Sequence, residues 1–280
     1  MGCGNSNITT PGDLDRSRQD KVIEVNLAQI KRKILVMSGK GGVGKSTVAA
    51  VIAILLSKGG KRVGLMDVDL HGPSIPLLMN VQGGLDTTVE GVVRPYRFSD
   101  NLGIVSIGVL MGEKDSAVIW RGPLKIGAIR QFISDIYWGE LDYLIVDSPP
   151  GTGDEPLTVA QTIPDAEALV VTTPQEVSLA DVRKSINFCR QVKMKVLGVV
   201  ENMSGYTCPH CGEQLSLFGK GGGTKMASHM GVPMLGEIPI DPEVVLMSDS
   251  GGLDALLEKP DTEIRQAYDR ILERIVNPTV

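Results

Sequence analysis

Two short stretches of the chain carry side chains whose types and spacing suit chemistry. The first, Gly39-Lys40-Gly41-Gly42-Val43-Gly44-Lys45-Ser46, matches G-x-x-x-x-G-K-[ST] directly after an apolar run and at the start of a helical pattern. Glycines there let successive backbone N–H groups turn inward around phosphate oxygens, and the positive end of the following helix adds to the attraction. Lys45 is then placed to neutralise the β- and γ-phosphates of a nucleotide, and the Ser46 hydroxyl to ligate Mg2+. Two acidic strand ends complete the site. Asp147 closes YLIVD ahead of SPPGTGD, where it would hold Mg2+ through water while Gly151 offers a free N–H to a γ-phosphate; Asp67 and Asp69 close RVGLMDVD. A strand-terminal Asp can equally cap the next helix.

The second stretch is Cys208-Pro209-His210-Cys211, in a loop after VLGVVEN. Two cysteines at this spacing can direct thiolates at one metal, but structural Zn2+ and [4Fe–4S] clusters usually take four ligands. The other cysteines, Cys3 and Cys189, are isolated, and Cys189 falls in a helical pattern where a buried apolar thiol is the ordinary outcome. A metal bridged by two chains, each giving two thiolates, is the first reading; a dithiol/disulfide pair and a bare loop stay open. His210 is read as solvent-facing rather than ligating, and His71 as a polar loop residue. Lys220-Gly221-Gly222-Gly223 is read as a helix-start turn, because no G-K-[ST] follows it.

These groups need strands that end together. Runs without alternation, of the kind buried on both faces, lie at Lys33–Ser38, Arg62–Asp67, Leu102–Ile107, Tyr143–Ser148, Ala168–Thr173, Val196–Asn202 and Met234–Ile238. Helical patterns lie near 45–58, 123–137, 155–162, 178–193, 222–230 and 261–275. The alternation predicts an α/β fold, a doubly wound and mostly parallel sheet of about seven or eight strands with ligands at its carboxyl edge. The 280 residues are read as a flexible, polar tail over 1–30 and a single domain over 31–280, with the C-x-x-C loop at 203–218.

Composition narrows the function classes. With 33 acidic against 28 basic residues and 4% aromatics, general nucleic-acid binding is disfavoured. No uncharged apolar run approaches the ~18 residues that span a bilayer. The opening MGCGNS fits a loose myristoylation pattern, but the polar composition around it favours a plain tail. Without an apolar leader the chain is expected in the cytoplasm, a reducing compartment where a close cysteine pair is metal-binding or redox-active rather than a structural disulfide.

GKGGVGKS carries an additional lysine, Lys40, and so resembles the deviant Walker A family of P-loop ATPases that includes MinD, ParA and nitrogenase iron protein. The resemblance implies that Gly39 through Thr47, with Asp67, Asp147 and Gly151, surround ATP and Mg2+. It further implies that Lys40 reaches the partner subunit's nucleotide in an ATP-bound dimer, Asp69 orients the attacking water, Asn202 reads adenine, and EIPID, with Pro239, packs on the base. The wider set GKGGVGKST, DVDLHGPSIP, DSPPGTGDEPLT, VVENMSGYTCPHCGE, LFGKGGG and LGEIPID is similar to the Mrp/ApbC-type iron–sulfur carrier ATPases. That similarity implies a homodimer holding a labile [4Fe–4S] cluster between two pairs, here Cys208 and Cys211, for delivery to apo iron–sulfur proteins. Neither nucleic acid nor membrane is an implied partner, and Zn2+ suits the same thiolate set. The four-cysteine N-terminal motif of eukaryotic scaffolds is not matched, since only Cys3 lies there, nor is the N-terminal accessory domain of many bacterial members. A MinD- or ParA-like positioning ATPase would explain the nucleotide motifs but not the cysteines, and TEIRQAYDRILERIV has mixed charge rather than a basic membrane-binding face. An electron-transfer ATPase like nitrogenase iron protein would have its cluster cysteines far apart.

Overall fold

The computed structural model describes residues 11–70, 72–111 and 122–278; Cys3, the MGCGNS pattern and His71 lie outside the described residues. Eight strands form the main sheet: β1 (Ile30–Ser38), β2 (Val63–Asp67), β3 (Tyr96–Ser99), β4 (Leu102–Ser106), β5 (Leu141–Asp147), β6 (Glu167–Thr172), β7 (Lys195–Glu201) and β8 (Met234–Glu237). Their order is β8-β7-β6-β1-β5-β2-β4-β3. All pairings are parallel except that of edge strand β3 with β4. Each expected run is a strand, its ends shifted by a few residues. The addition is β3, whose YRFS alternates half-buried and exposed because only one of its faces is covered.

Side chains of β1 divide with a period of two between two cores: Ile34 and Val36 face the helices Lys45–Lys58 and Glu263–Val276, while Leu35 and Met37 face the other layer. That other layer includes Gly122–Ser134, Asp154–Thr162, Glu176–Gln191 and Gly222–Met230. The chain leaves β1 for β2, returns to insert β5 between them, and then continues on the far side of β1. The carboxyl ends of β1, β2 and β5 therefore meet at one place, where open α/β sheets bind ligands.

Within the tail expected over 1–30, Pro11–Ala28 is a helix. Ile23 and Leu27 are buried in the second core, Asn26 Nδ2 donates to the Ile133 carbonyl at 2.8 Å, and Arg130 Nε donates to Gln19 Oε1 at 3.1 Å. Its apolar face is so narrow that DLDRSRQDK reads as a solvated segment; docking on Gly122–Ser134, rather than an evident pattern, holds the helix. The helix Pro242–Ser250 was also unforeseen, although Asp241-Pro242 is a start signal: Asp241 Oδ1 accepts from Glu243 N–H at 2.8 Å. The last helix turns Ile264, Ala267, Tyr268, Ile271 and Ile275 into the core, so its apolar face is already used. Among the described residues no helix is long and apolar enough to cross a membrane.

Candidate nucleotide and thiolate sites

Residues 39–44 connect β1 to the helix Lys45–Lys58. Two glycines are demanded by close approach. A Cβ on Gly39 would lie 2.4 Å from the Asp181 carbonyl carbon; one on Gly44, at φ +78, would lie 2.2 Å from Asn202 Nδ2. That amide in turn donates to the Val43 carbonyl at 2.9 Å, so Asn202 is fastened onto the phosphate loop. Ser46 and Thr47 lie half-buried in the first helical turn. Pro239 is half-buried beyond β8, held beside the end of β7 by the Ile238 N–H, which donates to the Glu201 carbonyl at 2.8 Å.

Strands β2 and β5 pair with Asp67 opposite Asp147, so two carboxylates stand side by side with no solvent exposure. Lys45 Nζ donates to Asp147 Oδ1 at 2.5 Å and to Ser46 Oγ at 3.1 Å. Asp147 Oδ2 is buried without a protein partner. An orphaned acceptor of this kind costs about 1–3 kcal/mol; beside the Ser46 hydroxyl it fits the donor set of a hydrated Mg2+. Asp67 is better satisfied, accepting from Asp69 N–H at 3.0 Å and from Ser106 Oγ at 3.0 Å. Asp69 is half-buried and accepts from Gly72 N–H at 3.3 Å.

Burial pushes both strand-end carboxyls above the ordinary carboxylate range: for Asp67 the neighbouring Asp147 adds to the rise, while for Asp147 the Lys45 ammonium opposes it. The folded chain thus holds these protons more tightly than the unfolded one, and this contribution to stability falls as pH rises above the ordinary carboxylate value. Asp67→Asn keeps an acceptor for Asp69 N–H and removes the charge. It should raise the stability of the nucleotide-free protein at neutral pH and flatten its decline, read as urea midpoints at about pH 5 and about pH 8; an unchanged slope would contradict this.

Two expectations meet a different geometry. Gly151 N–H is not free, because it donates to the Ser38 carbonyl at 2.7 Å and ties the loop after β5 to the end of β1. Lys40 is half-buried, its Nζ 3.3 Å from Gln175 Oε1 of the same chain.

The cysteines sit at the tip of a small hairpin, Tyr206–Thr207 against Gln214–Leu215. Cys208 N–H donates to the Glu213 carbonyl and Gly212 N–H to the Cys208 carbonyl, both at 2.9 Å. The Cys208 thiol is held below its ordinary value by the backbone N–H groups of Cys211 and His210, an arrangement that favours the thiolate. Cys208 is half-buried, Cys211 and His210 are exposed, and the described residues contain no cluster of three or more potential metal ligands. Cys189 differs: burial pushes its thiol up to about 11, and its Sγ lies 3.5 Å from Met37 Sδ.

Lys220–Gly223 opens the helix Gly222–Met230, as read from the sequence. Its N-terminus is already filled by an internal anion. The fully buried Glu201 carboxylate accepts from Gly221 N–H at 3.1 Å, from Gly223 N–H, and from Ser204 Oγ at 2.6 Å. Sequence reasoning passed over Glu201; a lone acidic residue ending the apolar run VLGVV was the available signal.

Comparison with known proteins identifies the family. A family model described as NUBPL iron-transfer P-loop NTPase matches residues 29–276. An "Iron-sulfur cluster carrier protein" of Methanocaldococcus jannaschii is 46% identical over 261 residues, 92% of this chain and 90% of that protein. A "Cytosolic Fe-S cluster assembly factor NUBP2" of Bos taurus is 47% identical over 259 residues, covering 91% and 95%. Among solved structures, a nucleotide-binding protein from Archaeoglobus fulgidus in complex with ADP superposes with a TM-score of 0.75 at 42% identity, over 86% of this chain and 94% of that one. The chain belongs to the NUBPL iron-transfer P-loop NTPase family.

Proposed function

We propose that this chain is a slow ATPase that carries a labile [4Fe–4S] cluster between the Cys208/Cys211 pairs of two copies and passes it to apo iron–sulfur proteins in the cytoplasm. The observation that carries the reading is a pair of thiols, Cys208 half-buried and biased toward thiolate and Cys211 exposed, on a hairpin where the described residues form no cluster of three or more potential metal ligands. Two such hairpins would supply four thiolates, a complete set for a cubane cluster and an accessible one for its release. The names of the relatives support cluster carriage, and the cytosolic relatives support the compartment.

In the nucleotide site, the loop 39–44 and Lys45 bind the phosphates of ATP; Lys45 exchanges its contact with Asp147 for phosphate oxygen. Mg2+, held by Ser46 and through water by Asp147, would neutralise charge building on the phosphates. Asp69 orients the attacking water, Asn202 and Pro239 hold the base, and Lys40 leaves Gln175 to reach the nucleotide of a second copy. Closing two copies in this way would bring the hairpins together, and hydrolysis would loosen them.

The test is transfer. Anaerobically loaded protein should activate a [4Fe–4S] dehydratase stripped of its cluster, and Cys208→Ala should not. Equal activation by the Cys208→Ala protein, or by iron and sulfide alone at the same concentration, would overturn the reading.

A further inference from the structure

The thiol hairpin is tethered at both ends to one side chain. Glu201 Oε1 accepts from Ser204 Oγ at 2.6 Å on the entry side of the hairpin and from Gly221 N–H at 3.1 Å on the exit side, while Oε2 accepts from Gly223 N–H. Glu237 adds a weaker tie to the entry side, 3.4 Å from Ser204 Oγ. A carboxylate with no solvent exposure is maintained only when its oxygens are satisfied, so the entry and exit strands are held to a fixed separation. The next residue faces the other site. Asn202 gives its backbone N–H to the Thr172 carbonyl at 2.7 Å and its side-chain amide to Val43 of the phosphate loop.

Between these anchors, Met203 adopts φ +58, a left-handed conformation rare for a residue with a side chain. Its Cε lies 4.0 Å from where a Cβ on Gly44 would stand. The strained turn aims Asn202 at the phosphate loop and returns Ser204 to Glu201. A shift of the phosphate loop on nucleotide binding therefore has a short route to the hairpin ends: the hydrogen bond from Asn202 to Val43, the peptide bond from Asn202 to Glu201, then the hydrogen bonds of Glu201 with Ser204 and Gly221.

We infer that Glu201 is a positioning residue that couples the state of the phosphate loop to the geometry of the thiol pair. It touches neither nucleotide nor cargo; it clasps the two ends of the hairpin and is bonded to the residue that senses the loop. The inference rests on the proposed assignment of Cys208 and Cys211 as cargo ligands.

Cobalt(II) titration under anaerobic conditions, followed by the thiolate charge-transfer band, reads the thiol pair without any transfer assay. In the wild type, saturating Mg·ADP should change Co2+ affinity by at least about fivefold, and by linkage Co2+ should change ADP affinity equally. Glu201→Gln keeps the side-chain size but loses the charge and one acceptor. It should retain ADP binding and the cobalt band while the affinity ratio falls to about one. A wild-type ratio of one, or an undiminished ratio in Glu201→Gln, overturns the clasp. If that variant does not fold, Ser204→Ala, which removes a single donor, decides by the same ratio: a reduced value supports the clasp and an unchanged one overturns it. Retention of the band by Cys208→Ala/Cys211→Ala would instead overturn the thiolate assignment.

Discussion

Lys45→Ala is expected to abolish nucleotide binding and also to destabilise the nucleotide-free protein. The ammonium is the charged partner of the buried Asp147, and Asp67 stands opposite on the neighbouring strand, so its loss leaves two carboxyls facing each other without a cation. Removing one member of a buried ion pair typically costs about 3–5 kcal/mol. Asp147 can escape part of that by taking up a proton, so the loss should be larger at about pH 8 than at about pH 5. Titration calorimetry with Mg·ADP should show affinity lowered by more than about 100-fold, the loss of a charged phosphate contact in a desolvated site. Adding Asp147→Asn removes the stranded charge and should restore stability without restoring binding. Retained affinity in Lys45→Ala would mean that the phosphates are held elsewhere.

Replacing Cys208 and Cys211 together should give the opposite separation, with cargo lost and nucleotide binding kept. The hairpin packs no side chain into either core, and its thiols lie apart from the Lys45–Asp147 pair in the hydrogen-bond pattern. Alanine at two half-buried or exposed sites should change the unfolding free energy by no more than ~0.5 kcal/mol each. Cys189→Ala should bind cargo normally and lose about 1–2 kcal/mol of stability, because its thiol is packed against Met37 rather than presented to a ligand.

The central strands were legible in the sequence because burial on both faces makes them unbroken apolar runs, whereas edge strand β3, covered on one face only, was not. The phosphate loop, Asp67 and Asp147 could be named from motif and strand-end position and Asn202 from family resemblance, and the fold brings them to one place, with Asn202 on the loop and Asp67 opposite Asp147. What escaped were features set by tertiary contacts. The helix Pro11–Ala28 is held by a few side chains against Gly122–Ser134, while its own polar composition reads as a solvated tail. Gly151 looked free for phosphate, but its N–H is committed to Ser38. Glu201 is invisible to motif reading because its partners, Ser204 and two backbone N–H groups beyond the hairpin, converge only in the fold.

Iron and acid-labile sulfide per chain, measured after anaerobic reconstitution of the wild type beside Cys208→Ala/Cys211→Ala, test the carrier assignment most directly. The account predicts about two irons and two sulfides per chain, hence one cubane per pair of chains, with a broad band at ~400 nm that the double variant lacks. Full iron and sulfide in the double variant, or zinc without sulfide in the wild type, would contradict it.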